Sequence, residues 1–147
     1  MILRPFQPSD LPTLSEIDRS CFSPGIAYSR EELASFIGHR SSSTWVAEAG
    51  GEVVGFVVAS RQPARVGHII TIDVVDAWRR RGVGSALMDA AESWARKAKL
   101  GLMYLETAEN NLEAQCFYEA RGYRKVDKVD RYYSNSLAAW VMVKRLK

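Results

Sequence analysis

Three arginines and two spaced glycines, Arg79-Arg80-Arg81-Gly82-Val83-Gly84, separate a strand-like run from a helix-like one. Upstream, His68 to Val75 is mostly aliphatic and β-branched. Downstream, Val83, Leu87, Ala90 and Trp94 recur at helical spacing, which predicts a helix over 82–98. The order strand, glycine loop, helix creates a charge problem. A helix start carries a positive partial charge, so each cation there costs about 0.3–1 kcal/mol. The sign reverses once an anion sits in the loop. Free backbone N–H groups then point at it, the glycines admit it without a Cβ in the way, and the arginines complete the neutralisation. The segment reads as a phosphate cradle, although it is neither the G-x-G-x-x-G dinucleotide fingerprint nor a Walker loop.

Around this unit, strand-like and helix-like segments alternate, so the chain belongs to the α/β or α+β class. Residues 2–6 read as an edge strand limited by Pro5. Asp10 is positioned to cap a helix through Leu11, Leu14 and Ile17. Ser29 to Glu32 has capping-box spacing and opens a second helix. A hairpin is expected to turn at Gly50-Gly51, and Gly101 to close the helix after the cradle. "LMYLET" is a strand, and Asn110 to Glu113 resembles a further capping box before a helix ending near Gly122. "YRKVDKVDRYY" and "LAAWVMVKRL" read as two last strands. The expected order is β-α-α-β-β-β-α-β-α-β-β, in one domain spanning 1–147.

Composition narrows the function. At 47% apolar and 25% charged, the 147 residues make an ordinary soluble core. No apolar run reaches the roughly 18–20 residues of a membrane span, and the N-terminus lacks a signal-peptide pattern. Cys21 and Cys116 lie far apart, consistent with reduced thiols in a cytoplasmic protein and with no metal cluster. The net charge of +3 is not gathered into a stripe with interleaved aromatics, so it suits an anionic small ligand better than nucleic acid.

Two stretches resemble the GNAT superfamily of N-acetyltransferases. Arg79 to Gly84 matches its Q/R-x-x-G-x-G/A pyrophosphate loop, and "LETAENNLEAQCFYEARGY" (residues 105–123) resembles its second signature. The resemblance implies an α/β GNAT-like fold, with a mixed, mostly antiparallel central sheet flanked by helices. It implies acetyl-CoA as cosubstrate, with no metal. Contacts to it would come from Ile72, Asp73 and Val74 on the strand, from Arg79, Arg80, Arg81, Gly82, Val83, Gly84 and Ser85 in the loop, and from Asn111 and Tyr118. Within the superfamily the chain is most similar to the ribosomal-protein-alanine N-acetyltransferases, through Glu106, Asn111, Tyr118 and Arg131-Tyr132-Tyr133. "CFSPGIAYSREEL" (residues 21–33) is similar to their early loop and second helix. That likeness implies an acceptor site holding Tyr28, Tyr132 and Tyr133. Where that family shows a Gly-Glu-Asp-Ala-like stretch, this chain has Ser136-Leu137-Ala138-Ala139. The acceptor therefore stays open between a protein N-terminus and a small amine, with an enzyme expected to act as a monomer or homodimer.

Transfer of an acetyl group to an amine needs a neutral amine, a stabilised oxyanion and a protonated leaving thiolate. Glu106 shares a strand face with residues 102 and 104 and lies at the strand's C-terminal end, where open α/β sheets place ligands. It is one candidate base. His68, in parity with Ile70, Ile72 and Val74, is the other. Tyr118 is the candidate acid, seven residues after Asn111 and about 10.5 Å further along one helix face. Val74 offers a backbone N–H to the oxyanion. Cys116 has no paired histidine to make it a nucleophile. A non-catalytic acyl-CoA-binding module on the same fold is the remaining alternative; Glu106 and Tyr118 argue for catalysis.

Overall fold

The computed structural model describes residues 1–146. The strands are β1 (Ile2–Pro5), β2 (Ser42–Ala49), β3 (Glu52–Gln62), β4 (Val66–Val74), β5 (Leu102–Ala108), β6 (Arg124–Val129) and β7 (Ala139–Arg145). The helices are α1 (Leu11–Cys21), α2 (Arg30–Gly38), α3 (Val83–Lys97) and α4 (Leu112–Ala120). The element order is the one expected, and the strands form one sheet in the order β1-β2-β3-β4-β5-β7-β6. All pairings are antiparallel except β4 with β5.

Helices cover both faces of the sheet. On one, Leu14 and Ile17 of α1 and Leu33 of α2 pack on Val46, Phe56 and Val58. On the other, Leu87, Met88, Ala91 and Ala95 of α3 pack with Met103, Leu105 and Met142, joined by Tyr118 of α4. Each such large apolar side chain contributes about 1.5–3 kcal/mol by leaving water. Covered on both sides, β3 is buried without interruption from Val54 to Ser60, so it lacks the alternation of a half-exposed strand.

Several local expectations hold in detail. Ser29 Oγ accepts from Glu32 N at 3.1 Å while Glu32 accepts from Ser29 N at 2.9 Å, a complete capping box on α2. The β2–β3 hairpin turns at Gly50-Gly51, both at positive φ. Others are corrected. Asp10 makes no cap bond to α1; its carboxylate accepts from Gln7 N and from Arg4, both within 3 Å. The end of α3 is formed by Lys99 at φ 61°, not by Gly101, and Leu100 N donates to Ala95 O at 2.9 Å. The cap of α4 is Asn111, one residue later than the box pattern suggested, with Oδ1 accepting from Ala114 N. Tyr132 and Tyr133 lie in the loop between β6 and β7, beyond the strand that ends at Val129.

Candidate active site

The site begins where two strands part. β4 and β5 pair over three rungs only, the last being His68 opposite Tyr104. Past that rung β4 stays bonded to β3 as far as Val74, and β5 to β7 as far as Ala108. Each is held by its outer neighbour, so the two diverge and leave a cleft of about 890 Å³ between them.

One end of the cleft is the glycine loop. Gly82 is the residue preceding α3, at φ 85°, a left-handed conformation that a side chain would strain. No side chain caps α3 and no acidic residue sits in its first turn, whereas α2 and α4 are each capped by a side chain. The first-turn N–H groups of α3 are therefore left for a ligand, and the helix dipole favours an anion there. Arg79, Arg80, Gly82, Gly84 and Ser85 border the cleft at this point. Arg79 Nε donates to Val74 O at 3.2 Å, which ties its stem to β4. Arg80, at φ 62°, extends into solvent 3.7 Å from Glu113. Arg81 and Val83 stand outside the cleft lining. The Arg81 guanidinium lies over the Trp78 ring at 4.9 Å, and Val83 is in the core. A pyrophosphate fits this donor set: uncapped N–H groups, a glycine approach and two cleft-side guanidiniums.

The middle of the cleft carries the titratable groups. Glu106 borders it; His68 sits behind Glu106, away from the lining. His68 Nε2 is 2.6 Å from Glu106 Oε1. A contact this short between two atoms that can both accept requires a proton between them. Glu106 Oε2 bonds to no described residue and keeps its acceptor capacity. From the opposite wall Tyr118 borders the cleft from α4. Burial, with the nearby Asp73 charge, pushes its phenol well above the usual tyrosine range, so it stays protonated and able to donate. Asn111 spends its Oδ1 on the α4 cap, leaving Nδ2 free to donate toward the cleft.

Ile72, Asp73 and Val74 also border the cleft, but the Asp73 carboxyl turns into the protein. It accepts from Thr71 Oγ1 at 2.6 Å and faces Asp18 of α1, which accepts from Tyr28 N at 2.8 Å. Desolvation, and then the neighbouring Asp18, drive the Asp73 carboxyl well above the ordinary carboxylate range.

The far end is formed by two loops. Tyr28, from the segment between α1 and α2, and the edge-to-face pair Tyr132 and Tyr133, with centroids 4.9 Å apart, gather there. Burial pushes the Tyr132 phenol up to about 12, with Glu106 adding to the shift. Sequence reasoning missed Phe22, Ser23 and Ile26, which line the same mouth. It also missed Phe117, whose ring lies 3.3 Å from where a Cβ on Gly84 would be. Their only prior signal was position: Phe22, Ser23 and Ile26 in a loop, and an aromatic beside Tyr118.

Residues 11–123 match the family model described as the acetyltransferase (GNAT) family. The chain belongs to the GNAT family. As a GNAT acetyltransferase it is an acyltransferase. It is 32% identical, over 99% of its length and 92% of the other's, to an uncharacterised N-acetyltransferase of Methanocaldococcus jannaschii. It is 34% identical to the N-alpha-acetyltransferase RimI of Mycobacterium tuberculosis, over 75% of this chain and 66% of that one. The solved Ard1 of Thermoplasma volcanium superposes with a TM-score of 0.88 at 31% identity, covering 99% of this acetyltransferase and 97% of that chain.

Proposed function

We propose that this acetyltransferase moves an acetyl group from acetyl-CoA to the N-terminal α-amine of a protein, directly and within a ternary complex in the cytoplasm. The observation that carries the acceptor side is the contact between the two mouth loops. Ser134 donates to Gly25 O from its N–H at 3.3 Å and from its hydroxyl at 3.0 Å, so the loops meet over the cleft. What remains is an entry walled by Phe22, Ile26 and three tyrosines. A free chain end enters such a mouth; a lysine on a folded surface brings too much bulk. The naming of relatives as N-alpha-acetyltransferases supports the same reading.

Bound acetyl-CoA supplies an activated thioester carbonyl and a thiolate leaving group. The chain's own residues do the rest. The α3 loop holds the phosphates through N–H groups and Arg79. Glu106 Oε2 takes the proton of the incoming ammonium. An α-ammonium has a pKa of about 7.7–8 against about 10.4 for lysine, so a carboxylate acting directly or through one water is sufficient. Tyr118 donates its proton toward the sulfur position from the opposite wall, and the Val74 N–H serves the oxyanion.

One observation favours a small amine as the acceptor instead. No carboxylate projects from Ser136 to Ala139, and the adjacent Glu109 is engaged with Ala138 N at 2.8 Å. A thiol-release assay with acetyl-CoA separates the two. Peptides beginning with Ala, Ser, Met or Thr should turn over, and a Glu106→Gln variant should lose about 100-fold in kcat/KM. Turnover with polyamines or amino acids alone would overturn the N-terminal reading.

A further inference from the structure

Tyr104 is not part of the cleft lining, yet it is the residue in closest register with His68. It lies opposite His68 on the last rung shared by β4 and β5. Its ring is face to face with the imidazole, with centroids 4.2 Å apart and planes 1° from parallel. The two side chains emerge on one sheet face, together with Glu106. A histidine on a strand has two free side-chain torsions. The Glu106 contact fixes one ring atom and leaves rotation about that contact. A flat aromatic surface against the ring removes the rotation that remains.

From this arrangement we infer that Tyr104 is a positioning residue for proton transfer: it holds the His68 ring in the plane from which Nε2 meets Glu106. The inference rests on the reading of Glu106 as the proton acceptor. His68 Nε2, donating to Oε1, stabilises the carboxylate form that takes the proton and leaves Oε2 turned to the acceptor. Without the stack the imidazole swings and the carboxylate loses that donor. The other groups facing this pair are Tyr28, Tyr132 and Tyr133, which lie toward Glu106 from the mouth. On β3 the residue opposite His68 is Ser60, which does not titrate.

The test is the pH profile of kcat/KM for an acceptor peptide, measured on the full chain. Tyr104→Leu should lower kcat about 10-fold and move the acidic limb up by about one pH unit, with KM for acetyl-CoA unchanged. Tyr104→Phe keeps the flat face and should return both to within about twofold of the parent. His68→Ala should move the limb in the same direction, and adding Tyr104→Leu to it should move it no further. A limb that stays in place in Tyr104→Leu while His68→Ala moves it overturns the positioning role and leaves Glu106 as base. A further shift in the double variant also overturns it, since Tyr104 would then act independently of His68. If Tyr104→Leu fails to fold, a Tyr104→Phe enzyme with a displaced limb is enough to reject the stack. If Glu106→Gln leaves the profile unchanged, the underlying reading fails instead.

Discussion

The carbonyl of Gly25 accepts two hydrogen bonds from Ser134, one from its N–H and one from its hydroxyl, and so ties the α1–α2 segment to the β6–β7 loop. The approach depends on glycine. Gly25 has φ 93°, and a Cβ there would fall 2.8 Å from Asn135 Cβ. Gly25→Ala therefore forces the loops apart and strains the backbone by about 1–3 kcal/mol. The expected outcome is an acceptor KM raised about 10-fold or more, with acetyl-CoA KM unchanged, since the phosphate end is remote. Steady-state kinetics with each substrate varied in turn reads this directly. Equal changes in both constants would mean the loops serve the whole cleft.

Tyr118→Phe removes a hydroxyl from a well-packed ring that touches Phe117 and Tyr123 edge to face. Packing is retained, so stability should change by less than about 1 kcal/mol. Loss of the proton donor should reduce kcat about 100-fold while acetyl-CoA KM stays within about twofold. Because burial holds the phenol above the usual tyrosine range, the parent enzyme should show no alkaline limb from this group below pH 10, about where a free tyrosine titrates. An unchanged kcat removes Tyr118 from the chemistry.

Gly82 precedes α3 at the end of the cleft proposed to hold the phosphates. A Cβ there would meet nothing within 4 Å, so Gly82→Ala tests backbone conformation and leaves packing intact. Departure from φ 85° would re-aim the uncapped N–H groups of α3. Acetyl-CoA KM should rise about 10-fold with kcat nearly constant, and inorganic pyrophosphate should protect the parent against thermal unfolding more than the variant. Equal protection of both proteins would place the phosphates elsewhere.

The Asp18 and Asp73 carboxyls are nearly or wholly inaccessible, and one oxygen of each lacks a donor. The folded-state carboxyl of Asp73 is raised, so the fold binds its proton more tightly than the unfolded chain does. The stability this contributes is complete below the ordinary carboxylate range and is lost as pH rises through the raised value. Asp73→Asn can still accept from Thr71 and can donate to Asp18, with no charge to bury. Its Tm relative to the parent should climb with pH between 4 and 9, ending about 2–4 °C above it for each kcal/mol relieved. A constant difference in Tm across that range would show that no shared proton is involved.

Most of the fold was legible because its signals are local. The glycine turn of the hairpin, the box on α2 and the apolar stripe of α3 each lie within a few residues of what they determine. The loop between β4 and α3 was legible for the same reason, and Arg79 and the glycines do border the cleft. Arg81 was not separated from its neighbours, because which guanidinium turns to Trp78 depends on the positive φ of Arg80. His68 and Glu106 were each visible as candidates, but as rivals. Their contact joins residues 38 apart across a parallel rung, and no local pattern encodes that pairing. The α4 cap was placed one residue early and the two tyrosines in a strand that stops at Val129. Strand ends depend on tertiary bonds such as that from Ala138 N to Glu109 Oε2.

The short pairing of β4 with β5 also bears on the energetics of binding. Each wall of the cleft is fastened from behind, one to β3 and one to β7, so backbone hydrogen bonds on the outer side hold it in place. A ligand entering such a gap need not spend binding energy on prying two strands apart or on freezing a floppy pocket. More of that energy is left for lowering the barrier, as in a vessel moulded before it is filled.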